Sequence, residues 1–143
     1  MSIRNSIAEN IVETLTDTND PKPIYVTRES IDLENLSRAQ FPSIVVRTSD
    51  EVRSELTMLG NSGSRFSTMN VVCECYVTGT NIDHQRNEVA ERVEEALVAD
   101  LTRGGVAKNT KLVELTVDQG IDKRFGLISL TFDIEYIYTR GAA

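Results

Sequence analysis

Near the start of the chain apolar residues return at every fourth position, Ile3, Ile7, Ile11 and Leu15, and Ala8 and Val12 widen the stripe. That spacing follows the 3.6-residue period of an α-helix and predicts one over residues 2–17. Ser2 is the candidate N-cap, because its hydroxyl can accept from a free N–H of the first turn. The run from Asp17 to Pro23, built of Asp, Thr, Asn, Pro and Lys, stops the helix. A short strand is expected over Ile24–Thr27. Residues 29–40 form a connector in which Ile31, Leu33 and Leu36 mix with charge. Phe41-Pro42 closes it, and Ser43-Ile44-Val45-Val46-Arg47 reads as a strand with Pro42 at its first position, where no ladder donor is needed.

The period then shortens to two. Val52, Ser54, Leu56 and Met58 alternate with Arg53, Glu55, Thr57 and Leu59. After the run Gly60-Asn61-Ser62-Gly63-Ser64, the residues Met69, Val71, Cys73, Cys75 and Val77 take one face, and Asn70, Val72, Glu74 and Tyr76 the other. Two alternating runs joined by a Gly/Asn/Ser turn predict a β-hairpin. Its tip half, Arg53 to Thr68, is polar on both faces and is expected to project from the body. Helical spacing returns with Val89, Val93, Ala96, Leu97 and Leu101. Thr80-Asn81-Ile82-Asp83 has the spacing of a capping box before it, and Arg103-Gly104-Gly105 is expected to end it. Val113, Leu115 and Val117 alternate with Glu114, Thr116 and Asp118. A turn follows from Gln119 to Gly126. The last strand sets Ile128, Leu130, Phe132, Ile134, Tyr136 and Tyr138 against Ser129, Thr131, Asp133 and Glu135.

Such alternation implies a sheet covered on one side and wet on the other. The order α–β–β–β–α–β–β over 143 residues predicts a single α+β domain spanning 1–143. The expected architecture is a mainly antiparallel sheet with two helices packed on one face and a projecting β-hairpin.

Charge narrows the functional classes. The net charge is −7 and there is no Trp. A strongly acidic chain repels phosphate backbones, so specific nucleic-acid binding is not expected. No stretch approaches the roughly 18 apolar residues that a membrane span needs, and the N-terminus lacks the apolar core of a signal peptide, so a cytoplasmic site of synthesis is expected. Cys73 and Cys75 lie on one face of one strand, poorly placed to bond with each other, which suits a reducing compartment.

No residue set carries a recognisable reaction. Cys73, Cys75 and His84 fall short of the four ligands of a structural zinc site. His84, the only histidine, begins an acidic helix without a partner motif for base catalysis. Glu91, Glu94 and Glu95 read as a solvated helical face. Gly60–Ser64 lacks the Gly-Lys-Ser/Thr ending of a phosphate loop and leads into a strand. Neither an enzyme, a metal nor a cofactor is expected. What remains are association surfaces: the polar hairpin with Arg53, Glu55 and Arg65, and the basic turn with Lys123 and Arg124, which could meet an acidic neighbour.

The layout resembles the tail terminator (tail completion) proteins of long-tailed phages. The likeness is one of element order over nearly the whole chain. It comprises an opening helix (Ile3–Leu15), a Pro-led strand (Phe41–Val46), a long hairpin (Arg53–Val77), an amphipathic helix (Ile82–Leu101) and a closing strand ending in aromatics (Thr131–Tyr138). The resemblance implies a virion protein of the tail–neck region, assembled in the host cytoplasm. It would form a ring, typically a hexamer, on the head-proximal end of the tail tube, end tube growth and dock the head connector or neck protein. It would also meet the sheath in a contractile tail. DNA would pass through without specific binding. Two alternatives stand beside it: another neck or head–tail joining protein, and a small ferredoxin-like enzyme with its site between subunits.

Overall fold

In the computed structural model, residues 2–18, 24–30, 36–37, 40–55, 64–118 and 125–139 are described, with Ser54, Glu55, Ser64 and Thr139 as backbone only. The elements are α1 (Ile3–Thr16), β1 (Tyr25–Thr27), β2 (Ser43–Glu55), β3 (Ser64–Thr78), α2 (Ile82–Val98), β4 (Asn109–Asp118) and β5 (Phe125–Thr139). The five strands form one sheet in the order β1-β2-β3-β5-β4. Among the described residues only the β1–β2 pair is parallel, and the other three pairs are antiparallel. Two helices and a mostly antiparallel sheet agree with the α+β class expected from the alternation and the element order.

Both helices lie on one face. Ile7, Ile11 and Leu15 of α1 and Val89, Val93 and Leu97 of α2 share a core with Ile44 and Val46 of β2, the odd-numbered residues Met69–Val77 of β3, and the even-numbered residues Ile128–Tyr138 of β5. The period of 3.6 in the helices and of two in the strands therefore meets in one apolar layer, which dominates stability. Ser2 caps α1 as expected, its hydroxyl accepting from the Asn5 N–H at 3.1 Å. Gly126 has a steric role: a Cβ there would stand 2.3 Å from the Ile82 side chain, so β5 passes under the start of α2 only without one.

Four expectations need correction. First, the helix from the capping-box segment starts at Ile82, with Asn81 at the cap in a left-handed conformation and no side-chain cap bond. Thr80 serves instead through its carbonyl, which accepts from Gln85 Nε2 at 2.6 Å.

Second, α2 ends at Val98, before Leu101 and the glycines. Asp100 explains this. Its carboxylate accepts from Thr102 N at 2.9 Å, Thr102 Oγ1 at 2.6 Å and Gly104 N at 2.8 Å, which winds the chain into a turn. Arg103, 1% exposed, donates to the carbonyls of Leu97 and Asp100, satisfying acceptors that the helix end leaves open.

Third, the described part of the hairpin's tip half is not a free arm. β5 runs beside β3 as far as the Ser64–Thr139 pair, and Arg65 and Ser67 are buried. Residues 56–63, the turn itself, lie outside the described residues.

Fourth, Val113, Leu115 and Val117 are 44%, 52% and 40% exposed, not covered. β4 is the outermost strand, and the helix layer is centred on the strands inside it.

Candidate assembly surfaces

The expected interface residues of the hairpin fall on one face of one ribbon. Arg53 pairs in register with Ser67, Glu55 with Arg65, and Arg65 with Tyr138. Cross-strand partners point to the same side, so Arg53, Arg65, Tyr136 and Tyr138 share the helix-side face beyond the N-terminus of α1. The Glu55 side chain, and Lys123 and Arg124 entirely, lie outside what the structure describes.

At the centre of this ribbon sits Glu51, which the sequence pattern did not single out. Arg4 Nη1 donates to its Oε1 at 2.8 Å, the Tyr136 hydroxyl donates to the same oxygen at 2.9 Å, and Arg53 Nε donates to Oε2. Burial alone would raise the Glu51 pKa. The hydrogen bonds from Arg53, Arg4 and Tyr136 outweigh it and hold the carboxyl down at about 2. Arg4 Nη2 also reaches the Ser49 carbonyl at 2.8 Å, next to the register shift between Thr48 and Glu51. The guanidinium of Arg53 stacks 4.7 Å over the Tyr138 ring. Glu51 stands between Asp50 and Val52 in a strand that also holds Glu55, so no local pattern marks it as the centre of a clamp.

A second surface is a groove along α2. The buried Pro42, Val77 and Val89 line it together with the exposed Glu88, Glu91 and Glu95, with Gln85 and Arg92 beside them. An apolar base under three carboxylates suits a cationic side chain, whose stem is apolar and whose head is charged. The open face of the sheet differs again: there Arg47 and Glu74 form an ion pair, and the Tyr76 hydroxyl donates to Glu74 at 3.1 Å.

The candidates for chemistry are dispersed. Cys73 and Cys75 are free and buried in the core. Burial pushes the Cys73 thiol up to about 12 and raises Cys75 well above the usual thiol range, so neither supplies a thiolate nucleophile. His84 Nε2 lies 3.3 Å from Glu88 Oε1 on an exposed helix turn. Glu91, Glu94 and Glu95 are exposed on α2. Among the described residues there is no group of three or more His, Cys, Asp or Glu positioned to hold a metal ion. No described helix is long and apolar enough to cross a membrane.

Comparison with known proteins sets this geometry in context. No family model matches the chain, and no curated protein matches it. A solved structure does. A chain of the "Virion of native gene transfer agent (GTA) particle" superposes with a TM-score of 0.57 at 9% identity, covering 96% of this chain and 96% of that one. At that identity the likeness shows a shared fold and nothing finer.

Proposed function

We propose that this chain is a structural virion protein that caps the head-proximal end of a phage tail tube. In this reading it forms a ring, hexameric by the resemblance, that ends tube polymerisation and offers the docking face for the head connector. One observation carries the proposal: the fold shared over 96% of both chains with a component of a virion particle. The α–β–β–β–α–β–β layout is in keeping with it.

The proposed contacts follow from the surfaces. Arg53, Glu55 and Arg65 on the ribbon, and Lys123 and Arg124 in the sequence before β5, are assigned to subunit or neighbour interfaces. The carboxylate-lined groove of α2 is a fitting receptor for a basic segment such as Lys123-Arg124 of an adjacent subunit. The tail tube protein, the connector or neck protein, and the sheath in a contractile tail are the further partners. Genome DNA passes the ring without specific binding, which an acidic chain of net charge −7 favours.

The same fold likeness supports a place elsewhere in the neck, and one experiment separates the two. Deleting the gene from its phage should leave filled heads unattached beside tails of uncontrolled length. Normal tails on normal heads would refute the proposal. Tails of normal length that fail only to join heads would favour another neck protein.

A further inference from the structure

β4 is an edge strand with an apolar stripe left in solvent. Its pairing with β5 settles which residues share a face. Leu112, Leu115 and Val117 face Phe132, Leu130 and Ile128 and so stand on the helix side. Lys111, Glu114, Thr116 and Asp118 face Asp133, Thr131, Ser129 and Leu127 on the open side. Val113 is the extra residue of the register shift between Leu112 and Glu114. Leu115 and Val117 therefore point to the side of the core without being covered. Leu101, 42% exposed, lies at the Thr110 end of the strand, its carbonyl accepting from Thr110 Oγ1 at 2.9 Å.

We propose that this edge is a docking site for β4 of a second copy of the chain, paired antiparallel about a two-fold axis through Leu115. The register argues for it. With Val113 set aside, the in-register positions from the positive charge of Lys111 to the negative charge of Asp118 are 111, 112, 114, 115, 116, 117 and 118, and Leu115 is the middle of that stretch, with Asn109 and Thr110 extending beyond it. Directly opposed residues in an antiparallel pair must share a face, so a two-fold axis has to pass through a residue.

An axis through Leu115 sets Leu115 against Leu115, Leu112 against Val117, Glu114 against Thr116 and Lys111 against Asp118. Apolar meets apolar, and the two ends close with opposite charges. An axis through Glu114 would set Glu114 against itself. An axis through Thr116 would set Glu114 against Asp118. Both place like charges directly opposite, which is destabilising. The bulge, a device that often blunts sheet edges, here is what centres the charge pattern on an apolar residue. An isologous contact of this kind joins two sheets into one and keeps the helices of both copies on the same side. It describes the free protein and goes beyond the ring proposed above.

The test uses the full chain. Sedimentation over a concentration series should show the mass rise from 15.9 kDa towards twice that value. Leu115→Cys, oxidised, should give a disulfide-linked dimer on a denaturing gel, whereas Thr116→Cys, one position off the axis, should not. Native Cys73 and Cys75 are buried and do not compete. Leu115→Lys should stay monomeric at every concentration with its fold intact by circular dichroism, as its exposed position predicts. A wild-type monomer throughout the series overturns the contact. So does a cross-link at position 116 without one at 115, or a hexameric mass without a 115–115 cross-link. None of these outcomes bears on the gene-deletion result, so the two proposals fail separately.

Discussion

β4 and β5 are neighbours in sequence and in the sheet, and both alternate apolar with polar residues. Their fates differ. On β5 every even residue from Ile128 to Tyr138 is buried, while on β4 the alternating Val113, Leu115 and Val117 are each at least 40% exposed. The chain places β5 between β3 and β4, directly under the helices, and leaves β4 at the edge. Periodicity tells which residues share a face of a strand. It does not tell whether anything covers that face, because coverage depends on where the strand sits in the sheet.

A third stretch stands between these extremes. In the ribbon of residues 51–55, 64–69 and 134–139, the helix-side face carries Glu51, Arg53, Arg65, Ser67, Tyr136 and Tyr138. Here the apolar layer gives way to a hydrogen-bonded polar cluster, and Arg4 of α1 ties it to the helix layer. Burying the Glu51 carboxylate is tolerable because Arg4, Arg53 and Tyr136 all donate to it.

The contrast can be broken at its strongest point first. Phe132→Ala, at the centre of β5 and fully buried, should cost about 3–5 kcal/mol of stability through lost burial and a cavity. Chemical denaturation measures this, and a cost under about 1 kcal/mol would show that the β5 face is not the core that its burial indicates.

Glu51 gives an intermediate effect with a pH signature. Its carboxyl is held at about 2 in the fold against an ordinary value of 4.5. A lowered pKa contributes stability above the unfolded value, and that contribution is lost as the pH falls from about 4.5 towards about 2. Glu51→Gln should therefore lose about 2 kcal/mol at neutral pH and should flatten the acid limb of the stability profile. Thermal melts of both proteins between pH 7 and the acid limit would show the two curves converging. Parallel curves would sink the clamp.

The smallest effect belongs to β4. Leu115→Ala, in dilute protein, should change stability by less than about 0.5 kcal/mol, since the side chain already sits in water. A loss comparable with that at Phe132 would mean that the edge is covered within the single chain.

Much of this was legible in the residues themselves. The i, i+4 stripe of Ile3 to Leu15, the face formed by Met69 to Val77 and the alternation of Ile128 to Tyr138 each name their buried side correctly, because secondary-structure periods are local geometry. The cap at Ser2 was legible for the same reason. The end of α2 was not. Glycines at 104 and 105 looked like the stop, but Asp100 and Arg103 end the helix earlier by capturing N–H groups and carbonyls, and that competition has no hydrophobic period to betray it. Of the expected interface residues, Arg53 is seen stacked on Tyr138, a residue more than eighty positions away in the chain, and no local pattern pairs the two.

The sequence by itself determined the class of elements, their order and the inward face of each, because those follow from backbone periods and from the free energy of removing apolar groups from water. Tertiary structure alone decided the strand order. Placing β5 inside β4 requires the chain to return from the edge to the middle of the sheet, and only the packed domain selects that return. From it follow the covered β5, the uncovered β4 and the gathering of Arg4, Glu51, Arg53 and Tyr136 into one clamp, since residues far apart in the chain acquire a shared environment only when their strands become neighbours.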